Sequence, residues 1–266
     1  MGVVTNAPQV STGQGQRLDS TPGQAGPQRV GLWAHYRKLW FYNLHRFQGD
    51  NAREMREYFA QIAIGEIEEF LPLAGAKVLD VGGARGEFCA TLHRLRGCDA
   101  TNLEPVPGDF LWHQNVIANA DKMPFPDGQF DLVICRGVIE HIPHEAQVPS
   151  LREIARVTRP GGLCYVVIPP WYTPHAGHKL KPFHVLPFRA AKFLREQVFR
   201  KKVPGDSLAQ LGLYPVTFAG MLRMIRQSGL TLAATRDTHF RLHALTRVPL
   251  LREVLVPAAA FILRKP

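Results

Sequence analysis

Little in this chain of 266 residues points to a membrane span, a secretory route or a metal-stapled fold. Its four cysteines, Cys89, Cys98, Cys135 and Cys164, form no C-x-x-C pair. That spacing excludes the common zinc and dithiol motifs and leads us to expect reduced thiols in a cytosolic protein. No apolar run reaches the about 20 residues that a helix needs to cross a bilayer; the longest near the C-terminus is Val254 to Leu263. The start, MGVVTNAPQVSTGQGQRLDSTPGQAGPQR, lacks the basic and apolar regions of a signal peptide. Asn6 stands where a myristoylation signal at Gly2 wants Ser or Thr. Residues 1–30 therefore read as a disordered tail. Acidic residues are far outnumbered in one region: residues 169–266 hold four against 16 Lys and Arg, a net of +12, whereas residues 77–168 carry −2. The chain's overall +10 thus belongs to its last third and invites an anionic partner there.

What is present is an alternation of short apolar runs and helical stretches, the pattern of a parallel sheet with crossover helices. Met55, Tyr58, Phe59, Ile62, Ile67 and Phe70 recur at helical spacing, so residues 51–70 read as an amphipathic helix. Strands are expected at Lys77–Val81, Thr101–Leu103, Asn115–Ala118, Phe130–Cys135, Leu163–Ile168, Leu230–Thr235 and Val254–Leu263. Helices are expected at Gly86–Leu95, at Glu145–Val157 closed by an Arg159-Pro160-Gly161-Gly162 stop, and at Val216–Gln227 with Gly229 as a left-handed cap. The stretch from Glu104 to Gln114 is too short for a full crossover helix. The expected organisation is one domain, 31–266, with a helical segment at 31–74 and a lid or substrate insert at 169–213.

The sharpest chemical signal is Asp80-Val81-Gly82-Gly83-Ala84-Arg85-Gly86, where a strand runs into a small-residue turn that opens a helix. Such a turn lets backbone N–H groups approach an anionic ligand closely. A dinucleotide fingerprint begun at Gly82 would need glycine at 84 and 87, where Ala84 and Glu87 stand, so NAD and FAD are disfavoured. Glu104 closes the next apolar run, where a carboxylate can accept hydrogen bonds from ribose hydroxyls. Further blocks follow at Asn119-Ala120-Asp121-Lys122-Met123-Pro124-Phe125-Pro126-Asp127-Gly128, at Arg136-Gly137-Val138-Ile139-Glu140-His141, and at Leu151-Arg152-Glu153-Ile154-Ala155-Arg156-Val157 before Arg159-Pro160-Gly161-Gly162.

These blocks, in this order and spacing, resemble the class I S-adenosylmethionine-dependent methyltransferases, in particular the branch that holds quinone-biosynthesis, small-molecule and lipid enzymes. The resemblance implies an α/β, Rossmann-like class I methyltransferase fold: a mostly parallel seven-stranded sheet with helices on both faces and a lid insertion. It also implies S-adenosylmethionine as the cofactor. Asp80, Gly82, Gly83, Ala84 and Gly86 would hold its methionine part, Glu104 its ribose, and Asn119 with Ala120 its adenine; Arg136 and Gly137 would pass near the sulfonium. Two residues depart from the family pattern, Ala84 for the usual middle glycine and Asn119 for the commoner aspartate. A narrower resemblance, in Phe41 to Ala52, Trp171, Gly177-His178 and Val248 to Glu253, is to methyltransferases of bacteria with mycolate-type envelopes that are linked to envelope glycolipid metabolism.

A hydroxyl acceptor would be helped by a general base, for which His141 and His178 are the catalytic candidates. Trp171, Tyr172, His175 and His184 are the candidates for the substrate mouth. No metal site is expected, because His175-x-x-His178 has only His184 nearby as a third ligand. Residues 187–202 form a basic amphipathic stretch, with Ala190, Ala191, Leu194 and Val198 on one face. It can serve as a lid helix or lie peripherally on the inner face of an anionic membrane. The expected acceptor is a hydrophobic or anionic small molecule or lipid, in a cytoplasmic setting and with no nucleic acid. An RNA methyltransferase and a non-catalytic partner protein are the alternatives.

Overall fold

In the computed structural model, which describes residues 31–45, 51–174 and 176–266, a strand β1 (Lys77–Val81) has every residue after Lys77 buried. Two helices precede it, α1 (Leu32–His45) and α2 (Asn51–Glu68). After it come α3 (Glu87–Arg96), β2 (Asp99–Glu104), β3 (Asn115–Ile117), β4 (Phe130–Arg136), α4 (His144–Val157) and β5 (Thr158–Ile168). Then follow α5 (Phe188–Phe199), α6 (Phe218–Ser228), β6 (Thr231–Asp237), α7 (Pro249–Val254) and β7 (Ala259–Arg264). The strands form one mostly parallel seven-stranded sheet in the order β3-β2-β1-β4-β5-β7-β6. β1 and β2 are parallel with Lys77 opposite Asp99, whereas β6 and β7 are antiparallel with Asp237 opposite Ala259.

The chain divides into two compact units, residues 1–134 with 156–163, and residues 135–155 with 164–266. In the first, Tyr58, Ile64 and Ile67 of α2 and Phe88, Cys89 and Leu92 of α3 are buried, as their helical spacing requires. Cys98 is buried as well, and Cys89 and Cys98 are free thiols. His35 of α1, which lies in the helical segment expected at 31–74, meets the Tyr58 hydroxyl through Nδ1 at 2.8 Å. Asp131 ties three strand segments together: its carboxylate accepts from the Lys77 N–H at 2.8 Å and from Arg159 Nε at 2.6 Å.

In the second unit, Phe218, Met221 and Ile225 form the buried stripe of α6, and the Phe218 ring lies 4.7 Å from that of Phe261 on β7. The helix is capped at both ends. Thr217 Oγ1 accepts the Gly220 N–H, and the Glu253 carboxylate accepts the Phe218 and Ala219 N–H groups, each at 2.8 Å. Gly229 ends it at φ +83°, as expected.

Three expectations change. Arg159-Pro160-Gly161-Gly162 is not a loop after α4 but part of β5, which begins at Thr158 directly after the helix. Gly162 serves a close approach, since a Cβ there would stand 2.8 Å from the Arg159 carbonyl oxygen and 3.0 Å from that of Asp131. The last strand begins at Ala259 rather than Val254, because Pro249 starts a helix and Pro257 has no N–H for a ladder. Finally, of the apolar face expected on α5, only Ala191 is buried, while Ala190 and Val198 are exposed. Ala191 packs with Leu180 and Val203, flanked by Phe183, Phe188, Leu208 and Leu211. A cluster this small is covered by one turn of helix, and the ends of the stripe stay in water.

Candidate active site

Three residues of the turn after β1 hold left-handed backbone: Gly82 at φ +69°, Ala84 at +51° and Gly86 at +81°. Glycine does so freely and Ala84 at a steric cost. The Gly82 N–H donates to the Leu103 carbonyl at 2.8 Å, and the Gly86 N–H to that of Gly83 at 2.9 Å. Gly83 has no space for a side chain, because a Cβ there would lie 2.3 Å from Asp80 Oδ2 and 2.4 Å from Asn102 Oδ1. Asp80 is itself buried. Gly86, at the start of α3, would drive a Cβ to 2.4 Å from that of Trp112. The turn is thus closely pinned by its own neighbours.

Glu104 ends β2, and its Oε1 accepts the Ala84 N–H, so the acidic strand end and the turn meet. Partial burial raises the Glu104 carboxyl above its ordinary range, and the bond from Ala84 only partly offsets this. β2 and β3 run parallel with Glu104 opposite Ile117, and the Ala118 N–H donates to the Glu104 carbonyl at 3.0 Å. Asn119 and Ala120 follow at the same end of these strands, with Asn119 exposed. Asn102, which the sequence reading passed over, braces the turn: its Nδ2 donates to the Ala84 carbonyl at 3.1 Å and to Asn115 Oδ1 at 2.8 Å.

The second unit holds Arg136 and Gly137, where β4 ends. Gly137, at φ +66°, donates its N–H to the Val167 carbonyl at 2.9 Å. A short turn of helix, Ile139–His141, follows. The Glu140 side chain is buried, with Oε2 unpartnered, and a Cβ on Gly137 would lie 3.6 Å from its Oε1. Burial pushes the Glu140 carboxyl up to about 7, against a small opposing effect of its own backbone N–H. The insert returns to clasp this turn. His141 Nδ1 lies 2.7 Å from the Gly212 carbonyl, and the Tyr214 N–H donates to the Glu140 carbonyl at 2.7 Å. A carbonyl can only accept, so Nδ1 carries the proton and Nε2 keeps its lone pair.

His178 stands beside it, the two rings 4.8 Å apart and nearly perpendicular. Lost hydration, then the charges of His141 and Lys181, pull the His178 pKa down to about 4. The two catalytic candidates therefore come together, 37 positions apart in the chain, with Glu140 as a third member that the sequence reading left out. Its neighbour His141 was the only signal; burial could not be read there. The substrate candidates divide. His184 is a buried buttress, its Nε2 2.9 Å from the Trp171 carbonyl and its ring edge-on to Trp171. A Cβ on Gly177 would collide with that ring at 2.3 Å, which accounts for the Gly177-His178 pair. Tyr172 is exposed, and His175 lies outside the described residues.

The profile of a family described as a methyltransferase domain matches residues 32–211. The chain belongs to this methyltransferase family. An uncharacterised methyltransferase of Mycolicibacterium gilvum is 35% identical over 199 residues, covering 70% of this chain and 75% of that protein. Another, of Mycobacterium tuberculosis, is 32% identical over 231 residues, covering 81% and 89%. Among solved structures, a geranyl diphosphate methyltransferase in complex with S-adenosylmethionine aligns over 91% of this chain and 93% of its own, with TM-score 0.53 at 14% identity, a likeness of fold.

The methyltransferase depends on S-adenosylmethionine. Its first unit carries groups that fit that ligand. Glu104 Oε1 is taken by Ala84, which leaves the other carboxylate oxygen for a ribose diol, and the exposed Asn119 amide can pair with an adenine edge. The left-handed turn supplies backbone rather than side chains at the approach.

Proposed function

We propose that the methyltransferase acts on an oxygen of a hydrophobic or anionic small molecule, lipid or glycolipid of cell-envelope metabolism. The observation that carries this reading is the surface of α5 and the loop before it. Val185, Leu186, Phe193, Val198 and Phe199 are exposed, Phe193 by 61% and Val198 by 60%, among the exposed Arg189, Arg200, Lys201 and Lys202. An apolar acceptor with an acidic head matches that mixture, and so does peripheral contact of residues 187–202 with an anionic membrane on its cytoplasmic side. Lys192 is not available for it, being held by the Gly205 carbonyl at 2.7 Å and by Asp206 at 3.1 Å. No helix among the described residues is long and apolar enough to cross a membrane.

Bound S-adenosylmethionine supplies a methyl group already activated by its sulfonium. What remains for the chain is to exclude water, align the acceptor and take its proton. His141 is the base in this reading. Its Nδ1 is fixed by Gly212, so Nε2 is presented as the acceptor of a hydroxyl proton. His178, neutral near pH 7 because its pKa lies near 4, puts no positive charge beside the imidazolium that forms.

The test is transfer of radiolabelled methyl from S-adenosylmethionine into fractionated cell extract. Label in the lipid fraction is the expected result; label in RNA, or in no fraction, overturns the reading. The membrane contact is tested separately by flotation with phosphatidylglycerol vesicles. Arg189→Glu with Arg200→Glu should reduce co-flotation several-fold, and unchanged flotation removes the membrane from the proposal.

A further inference from the structure

We propose that Glu140, His141 and His178 bind a divalent transition-metal ion of the Zn²⁺ type. The ligand atoms that these three side chains offer all lie within 4.8 Å of one another. An ion with bonds of about 2.1 Å in tetrahedral geometry spaces its ligands about 3.4 Å apart, so a movement of about 1 Å closes the set. His141 and His178 are exposed residues, whereas Glu140 is buried.

The second observation is the carboxylate. Glu140 is 94% removed from solvent, as its 6% exposure states, yet its Oε2 has no hydrogen-bond partner. A buried carboxylate oxygen without a donor is costly, and a cation is the partner that satisfies it best.

The third is the orientation of His141. A ligating imidazole characteristically hands its other nitrogen's proton to a carbonyl or carboxylate, which fixes tautomer and ring plane. His141 has that arrangement already, Nδ1 on the Gly212 carbonyl at 2.7 Å, with Nε2 left for an ion. His178 is delivered from the insert in a left-handed backbone conformation, φ +43°, a local cost that bringing its ring to His141 explains.

Two imidazoles and one carboxylate are a donor set suited to zinc and its neighbours rather than to Mg²⁺ or Ca²⁺, and three protein ligands leave a coordination position open. An acceptor oxygen is the natural occupant of that position. This use of the ion rests on the oxygen-acceptor reading above and, because His141 Nε2 cannot hold an ion and accept a proton at once, puts polarisation of the acceptor oxygen by the ion in place of proton abstraction by His141; the binding of the ion does not rest on that reading.

The experiment therefore measures binding without an acceptor. Full-length protein is stripped with a chelator, dialysed and titrated with Co²⁺, read by the visible absorption that four- or five-coordinate Co²⁺ acquires, and then displaced with Zn²⁺. One Co²⁺ per chain is expected. Glu140→Gln and His178→Ala should each weaken binding by at least about tenfold, with S-adenosylmethionine affinity by calorimetry reporting that each variant is folded. No Co²⁺ spectrum from the folded wild-type protein, or a spectrum and affinity unchanged in His178→Ala, overturns the site. A metal-binding protein that methylates nothing in lipid would instead retain this site and overturn the acceptor.

Discussion

The glycine turn of the first unit and the histidine cluster of the second make opposite use of their polar groups. Around the turn the backbone is held from within, Ala84 N–H on Glu104, Gly82 N–H on Leu103, and Asn102 Nδ2 shared between Ala84 and Asn115, and only Asn102 Oδ1 among these groups is left without a partner. Gly83 has no spare volume at all. In the cluster, a buried carboxylate oxygen is left over and two imidazoles stand at the exposed side. A turn so constrained suits one ligand held the same way every time. A cluster with unmet capacity suits a step that changes with acceptor or ion.

The strongest attempt to break that contrast is Gly83→Val. Its side chain must displace Asp80 and Asn102, so S-adenosylmethionine binding should vanish in calorimetry; retained affinity would mean that the turn is looser than its contacts indicate. Next is His141→Gln, which keeps a polar side chain but removes the imidazole. Single-turnover methyl transfer should fall by about 10²–10⁴-fold with S-adenosylmethionine affinity unchanged. An equal loss in both measurements would make His141 part of the cofactor site instead.

The pH dependence of stability separates the two regions further. Burial raises the folded Glu140 pKa to about 7, above its unfolded value of about 4.3. In metal-free protein its contribution is therefore fully present below about pH 4 and is lost as pH rises through about 7. Glu140→Gln should remove that loss and add on the order of 2 kcal/mol at pH 8, read from urea midpoints. Asp131 has the opposite sign. Burial pushes it up, but Arg159 and the Lys77 N–H outweigh that and hold it below its ordinary range. Its contribution is present above an unfolded pKa of about 3.9 and is lost as pH falls through the folded value. With Arg159 half exposed, Asp131→Asn should cost only about 1 kcal/mol at pH 7 and flatten the acid limb.

The smallest effect is expected from Ala84→Gly. Relief of the left-handed strain at φ +51° outweighs the added chain entropy, for a net gain of about 0.5–1 kcal/mol in chemical denaturation. Loss of stability would show that the methyl group of Ala84 packs usefully in the turn.

Much of this architecture was legible from residue order alone because its determinants are local. Val78, Leu79 and Val81 form a buried strand, small residues follow at 82–86, and an acid closes the next run at Glu104. Gly229 ended α6 as a left-handed cap for the same reason. Where a contact partner lies far along the chain, residue order was a poorer guide. Arg159-Pro160-Gly161-Gly162 carries the composition of a loop, yet belongs to a strand in which Gly162 approaches the Asp131 backbone closely. The face of α5 could be drawn from periodicity, but which part of it is covered depended on Leu180 and Val203.

The sequence by itself determined the class of protein and the tight turn after β1, since a left-handed turn needs small residues wherever it occurs. Only the tertiary structure decided that Glu140, His141 and His178 share one place, and that His184 serves Trp171 and Gly177 instead. The physical reason is that burial and pairing depend on which distant segments meet. A histidine reads the same in the chain whether its ring will be a wall or a base.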